Sequence, residues 1–109
     1  MKTLKVKTRK PTLIKEPGIM YNLQLYIAGQ TPRAILALKN LKFICEERLQ
    51  GKYHLKVIDL VKNPKLGRED QILAIPTLMR KMPLPVRLII GDLSNTPRVL
   101  TALGLDQEN

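Results

Sequence analysis

Tyr21-Asn22-Leu23-Gln24-Leu25-Tyr26-Ile27-Ala28-Gly29-Gln30-Thr31-Pro32 joins a strand signal to a helix signal through a very short turn, the opening unit of an α/β domain. Leu23, Leu25 and Ile27 alternate with Asn22, Gln24 and Tyr26, the period-two pattern of a strand over Tyr21 to Ala28. Gly29 ends that run. Thr31 then supplies a capping hydroxyl, and Pro32 has the fixed φ that suits the first helical position. Beyond it Ile35, Leu38, Leu41, Cys45 and Leu49 recur at helical spacing, and Gly51 is the predicted stop.

Working outward, a second strand is predicted from about Tyr53 to Leu60. Its dense apolar content, Leu55, Val57, Ile58, Leu60 and Val61, predicts burial on both faces, as in a central parallel strand. A helix between two strands is a crossover connection, which is right-handed in nearly all sheets and makes the strands parallel. Asn63-Pro64 repeats the cap-plus-proline signal before a short helix reaching about Leu73, and Ile75-Pro76 stops it. Thr77 to Lys81 and Val86 to Gly91 read as strands of a hairpin joined by Met82-Pro83-Leu84-Pro85. Thr96-Pro97 is the third such signal, and Val99, Leu100 and Leu103 give the last helix an apolar side. The resulting order, β-α-β-α-β-β-α, is that of an α/β domain with a thioredoxin-like mixed sheet.

A chain of 109 residues fits one core, and with 44% apolar but only 4% aromatic residues that core must be aliphatic. The formal charge is +10, half of it in residues 1–18, where six basic side chains meet one acid. The predicted organisation is therefore a basic N-terminal tail, 1–18, followed by one domain, 19–109. The tail has no aromatic residues to stack on bases, so a solvated tail explains it better than nucleic-acid binding. Contact with an acidic partner is the other use such a charge has. Met20, directly before the first strand, is an alternative start that would make the tail a leader. No run is long and apolar enough to cross a bilayer or to act as a secretory signal, so no membrane association and a cytoplasmic location are expected.

The only cysteine, Cys45, excludes an internal disulfide, a C-x-x-C redox pair and a cysteine-built zinc cage. In a redox thioredoxin the reactive thiols sit where the first strand meets its helix, because the helix N-terminus lowers a thiol's pKa. Here that junction reads Gly29-Gln30-Thr31-Pro32. Cys45 lies four residues from both Leu41 and Leu49 and reads as an inert core thiol. His54 has no companion nucleophile or metal ligand, and Glu46-Glu47 and Glu69-Asp70 read as solvated surface rather than acid–base pairs. Neither G-x-x-x-x-G-K-[ST] nor G-x-G-x-x-G occurs. The expectation is a binding protein with no catalytic site, no metal and no cofactor. Pro76 enters the third strand where thioredoxin-like folds place a cis bond, although trans is the base-rate state by about 0.5–1 kcal/mol.

Leu25 to Pro32, Leu55 to Asp59, Lys62 to Pro64, Ile72 to Leu78 and Pro83 to Asn95 together resemble the KaiB family, in order and without large gaps from about Tyr21 to Leu103. The resemblance implies a clock protein that docks on the hexameric ATPase and kinase KaiC, or a related role in stress adaptation. It also implies a homo-oligomer, dimer or tetramer, and a metamorphic chain. One family form is a thioredoxin-like monomer that binds KaiC; in the other, a tetramer, the C-terminal half is refolded, and this is the alternative architecture. Lys39, Lys56 and Arg87 match basic positions of the family and are the candidate partner contacts. The alternative function is a thioredoxin-like sensor or adaptor module binding another protein.

Two departures from the family carry physical consequences. Where the family commonly has Pro-Pro-Pro-Val-Arg-Arg, this chain has Pro83-Leu84-Pro85-Val86-Arg87-Leu88 and loses a basic residue. The family's Gly-Leu-Asp corresponds to Ala102-Leu103-Gly104. Alanine in a helix interior is favoured over glycine by about 0.8–1.0 kcal/mol. Ala102 and Gly104 are therefore the fold-switch candidates, expected to favour the thioredoxin-like form, with Gly104 as a helix stop.

Overall fold

The computed structural model describes residues 19–105; the predicted tail, 1–18, lies outside the described residues, as do the last four of the chain. The elements follow the expected order: β1 (Tyr21–Ile27), α1 (Pro32–Arg48), β2 (Tyr53–Asp59), α2 (Pro64–Glu69), β3 (Thr77–Met82), β4 (Arg87–Ile90) and α3 (Thr96–Leu103). They form one four-stranded mixed sheet in the order β2-β1-β3-β4. β1 and β2 are parallel, with Leu25 beside Val57, while β3 runs antiparallel to both β1 and β4.

The strand-to-helix junction forms as its residues dictate. Gly29 takes a positive φ of 79°, a backbone conformation that glycine, having no Cβ, adopts without strain. The Thr31 hydroxyl accepts a 3.1 Å bond from the Ala34 amide, and Pro32 opens α1. Gly104 ends α3 with φ 79°, in the left-handed conformation glycine adopts at helix ends. The Ile75-Pro76 bond is cis, as are Met82-Pro83 and Leu84-Pro85 in the turn of the hairpin.

Four expectations are corrected. β2 is an edge strand rather than a central one, because β3 returns to the other side of β1; Val57 is 42% exposed. α1 turns Ala34, Ala37, Leu41, Ile44 and Cys45 inward, so Ile35, assigned to the apolar stripe, faces solvent instead. The small alanines let the first turns of the helix sit close to the sheet, while Leu41, Cys45 and Leu49 of the expected stripe are buried as predicted. α2 stops at Glu69, well short of Leu73. Asn95, not Thr96, caps α3, its side-chain oxygen accepting from the Arg98 amide at 3.2 Å.

Strand alternation divides the sheet into two unequal faces. Leu23, Leu25 and Ile27 of β1, Leu78 of β3 and Ile89 of β4 point to the face covered by α1 and α3 and form the main core there. On the opposite face only Tyr26, Ile58 and Met79 are buried together, with Leu60, Leu66 and Ile72 packed against them.

Candidate partner-binding surfaces

At the β1–α1 junction the geometry is structural. The Asp59 carboxylate at the end of β2 accepts the Gly29 amide at 3.1 Å and the Val61 amide at 2.9 Å, tying the two loops together. Those donors, Val61 first, hold the Asp59 carboxyl below its ordinary range. Cys45 lies away from the junction, fully buried in α1, and burial, with Glu46 adding to it, pushes its thiol up to about 11. It is protonated at neutral pH. Among the described residues no three His, Cys, Asp or Glu side chains cluster as metal ligands, and no helix is long and apolar enough to cross a membrane.

Lys39, Lys56 and Arg87 are all exposed, but they do not form one patch. Lys39 stands with Lys42 on the rim of a groove of about 380 Å³ between α1 and β2, floored by Leu25, Ile27, Ala34 and Val57. Lys56 projects from the opposite face of β2, since its neighbour Val57 points into the groove. Lys39 and Lys56 thus flank the β2 edge from its two sides. Arg87 is on β4, three strand spacings away, or about 14 Å at roughly 4.8 Å each. Pro76 is buried and lines a small cleft beside Thr31 and Arg33 at the junction.

Three polar residues with definite tasks were missed in the sequence. Arg80, read only as part of a strand, is 5% exposed; it donates to the Leu103 carbonyl at 2.9 Å and the Pro85 carbonyl at 2.8 Å, while its Nε has no partner among the described residues. Tyr21 donates to the same Leu103 carbonyl at 3.1 Å, so two strand residues hold the C-terminal end of α3. Asp70 is not merely solvated, since it accepts a hydrogen bond from the buried Tyr26 hydroxyl. A polar side chain at an inward strand position, opposite Leu23 in the case of Arg80, is the signal that marked that residue.

These features define a class: a thioredoxin-like domain whose thiol position is occupied by Gly29-Gln30-Thr31-Pro32. Known structures share that fold, among them the N-terminal domain of Synechococcus elongatus SasA, with a TM-score of 0.66 at 17% identity over 93% of this chain and 99% of that one. Chloroplastic thioredoxin z superposes with a TM-score of 0.64 at 18% identity over 82% of this chain and 80% of that one. The sequence narrows the class further. Residues 24–105 match the family model of the KaiB domain. The chain is 57% identical over 89 residues to a protein of Synechococcus elongatus named circadian clock oscillator protein KaiB, covering 82% of this chain and 87% of that protein. A protein of the same name from Microcystis aeruginosa is 59% identical over 85 residues, 78% of this chain and 82% of that protein. The chain belongs to the KaiB family.

Proposed function

We propose that this chain is a non-catalytic regulator, working in the cytoplasm, that binds a KaiC-like hexameric ATPase in circadian timing or stress adaptation. The observation that carries the reading is the KaiB-domain match across residues 24–105, which spans nearly the whole seven-element fold. The replacement of the thiol site by Gly29-Gln30-Thr31-Pro32 supports it, because it leaves surfaces as the means of action. Lys39 and Lys56 are the contacts at the β2 edge and Arg87 is a separate contact at the β4 edge. Exposed cations of this kind steer an acidic partner surface and set the association rate. The chain also forms a homo-oligomer, dimer or tetramer, in this reading.

Ala102 and Gly104 belong to the same proposal. Ala102 in the last turn of α3 and Gly104 at its left-handed end favour the helix seen here, and so the thioredoxin-like form. A preference of about 1 kcal/mol shifts a two-state population severalfold. Backbone chemical shifts in solution that report only a refolded C-terminal half would overturn this part.

Co-elution with a KaiC homologue, with and without ATP, tests the central claim. A complex is expected under at least one nucleotide condition, and its absence under all of them would overturn the reading. With Lys39→Glu and Lys56→Glu combined, the dissociation constant is expected to rise about tenfold or more, mainly through slower association.

A further inference from the structure

β2 is an edge strand, and α1 leaves part of its inner face uncovered as the groove of about 380 Å³ between them. Ile35 of α1 and Val57 of β2 form its two sides, 55% and 42% exposed. The floor is Leu25, paired with Val57 in the parallel ladder, and Ile27, the next inward residue of β1. The space stays open because Ala34, beside that floor, has only a methyl group where a longer side chain would enter it.

The size of the groove suits a small molecule. Its volume lies within the range of about 300–1,000 Å³ common for ligand sites. Nine of the described residues line it, against about 20–30 on each side of a stable protein interface. Charge is unevenly placed along it. Lys39 and Lys42, three residues apart on one face of α1, stand towards one end, and among the described residues no carboxylate lines the groove. Ile27, Ala34 and Ile35 lie towards the other end. From Ile35 to Lys42 the helix rises about 10 Å, a distance that an extended alkyl chain of about eight carbons covers.

We infer that the α1–β2 groove binds a free medium-chain carboxylate, its alkyl chain between Ile35 and Val57 and its carboxylate on Lys39 and Lys42. The chain exchanges water for an apolar floor and walls, which drives binding without directional contacts. The carboxylate accepts charge-assisted hydrogen bonds from two ammonium groups, and both lysines keep their charged ends at the surface while their stems border the apolar space. A neutral chain leaves the lysines unused, and a short anion leaves the floor wet. The inference goes beyond the regulator reading and stands without that partner, although both use Lys39.

Titration of the full chain with monomeric decanoate, followed by amide chemical shifts and calorimetry, tests this. Saturable one-to-one binding is expected, with shifts concentrated at Leu25, Ile27, Ala34 and Val57. Decanol, which keeps the chain and lacks the charge, and butyrate, which keeps the charge and loses most of the chain, are each expected to bind at least about tenfold more weakly. Lys39→Gln combined with Lys42→Gln is expected to weaken decanoate at least about tenfold with the circular dichroism unchanged. Val57→Asp places a carboxylate in the groove and is expected to abolish binding, while Lys65→Gln on α2 is expected to leave it unaltered. The double lysine variant, changed only at exposed positions, carries the test if Val57→Asp disturbs β2. Shifts scattered over the surface without saturation would overturn the site, as would undiminished binding by the double lysine variant. Decanol binding as tightly as decanoate would overturn the carboxylate's role. Groove-dependent recruitment to phosphatidylglycerol vesicles without binding of monomeric decanoate would make the ligand a lipid surface, and the free-carboxylate assignment wrong.

Discussion

The two faces of the sheet are held by different means. On one, Leu23, Leu25, Leu78 and Ile89 lie beneath α1 and α3, and buried aliphatic area dominates. On the other, Tyr26, Ile58 and Met79 are covered by the six-residue α2, whose end is fixed by the hydrogen bond from Tyr26 to Asp70. Global stability therefore resides on the α1–α3 face, while the α2 face is the region that opens locally at lower cost. The largest expected effect follows. Leu25→Ala should cost about 2–5 kcal/mol in urea unfolding, whereas Ile58→Val should cost only about 0.5–1.5 kcal/mol. The substitutions differ in size, so hydrogen exchange supplies the sharper comparison: α2 amides should exchange through openings smaller than the global one, and α1 amides through the global one. Equal opening energies would break the contrast between the faces.

Arg80 is the exception on the aliphatic face. Its guanidinium is almost fully buried with two carbonyl acceptors and, among the described residues, no carboxylate and no partner for Nε. Removing the whole side chain leaves a cavity and takes a donor from the Leu103 carbonyl, so Arg80→Ala should cost about 2–3 kcal/mol. Arg80→Met keeps most of the stem packing and removes the burdensome charge, and the Tyr21 hydroxyl still serves the Leu103 carbonyl. That variant should lose about 1 kcal/mol or less. Similar losses for the two variants would show that the hydrogen bonds, rather than packing, hold α3 at this point; denaturant midpoints decide between them.

The element order was legible because a proline at the start of each helix and the alternation in β1 act over a few residues; of the three predicted caps only Thr31 makes its bond, since the Asn63 side chain makes none and Asn95 replaces Thr96. The absence of thiols at the junction was legible by counting. What escaped depends on contacts distant in sequence. The apolar run in β2 reads as a central strand, yet it lies at an edge because β3 inserts on the other side of β1, a choice made by the hairpin. Lys56 and Arg87 read as one set of basic contacts and are separated by the same strand order. Arg80 reads as an ordinary basic residue in a strand. It is buried only because Pro85 and the end of α3, more than twenty residues away in the case of Leu103, supply its acceptors. In α1 the large side chains drew attention from Ala34 and Ala37, whose small size brings their face against the sheet.

The smallest expected effect distinguishes the faces by pH. Burial first, and then the hydrogen bond and negative charge of Asp70, raise the Tyr26 hydroxyl above its ordinary value of 10.0. In the unfolded chain the phenol ionises near that ordinary value, while in the folded protein it stays protonated to higher pH. The native state therefore binds the proton more tightly. Its contribution to stability is complete below pH 10 and is lost as the pH rises through the folded value. Tyr26→Phe removes this titration together with one hydrogen bond, so the variant should be less stable than the wild type at pH 8, with the gap narrowing as the pH is taken above 10. Tyr21, on the α1–α3 face, offers the control: Tyr21→Phe also removes one tyrosine hydrogen bond, from the Leu103 carbonyl. Urea midpoints of the three proteins between pH 8 and 11 measure the effect. A Tyr26→Phe gap that stays constant across that range would mean the phenol is not held by the α2 face as the geometry requires.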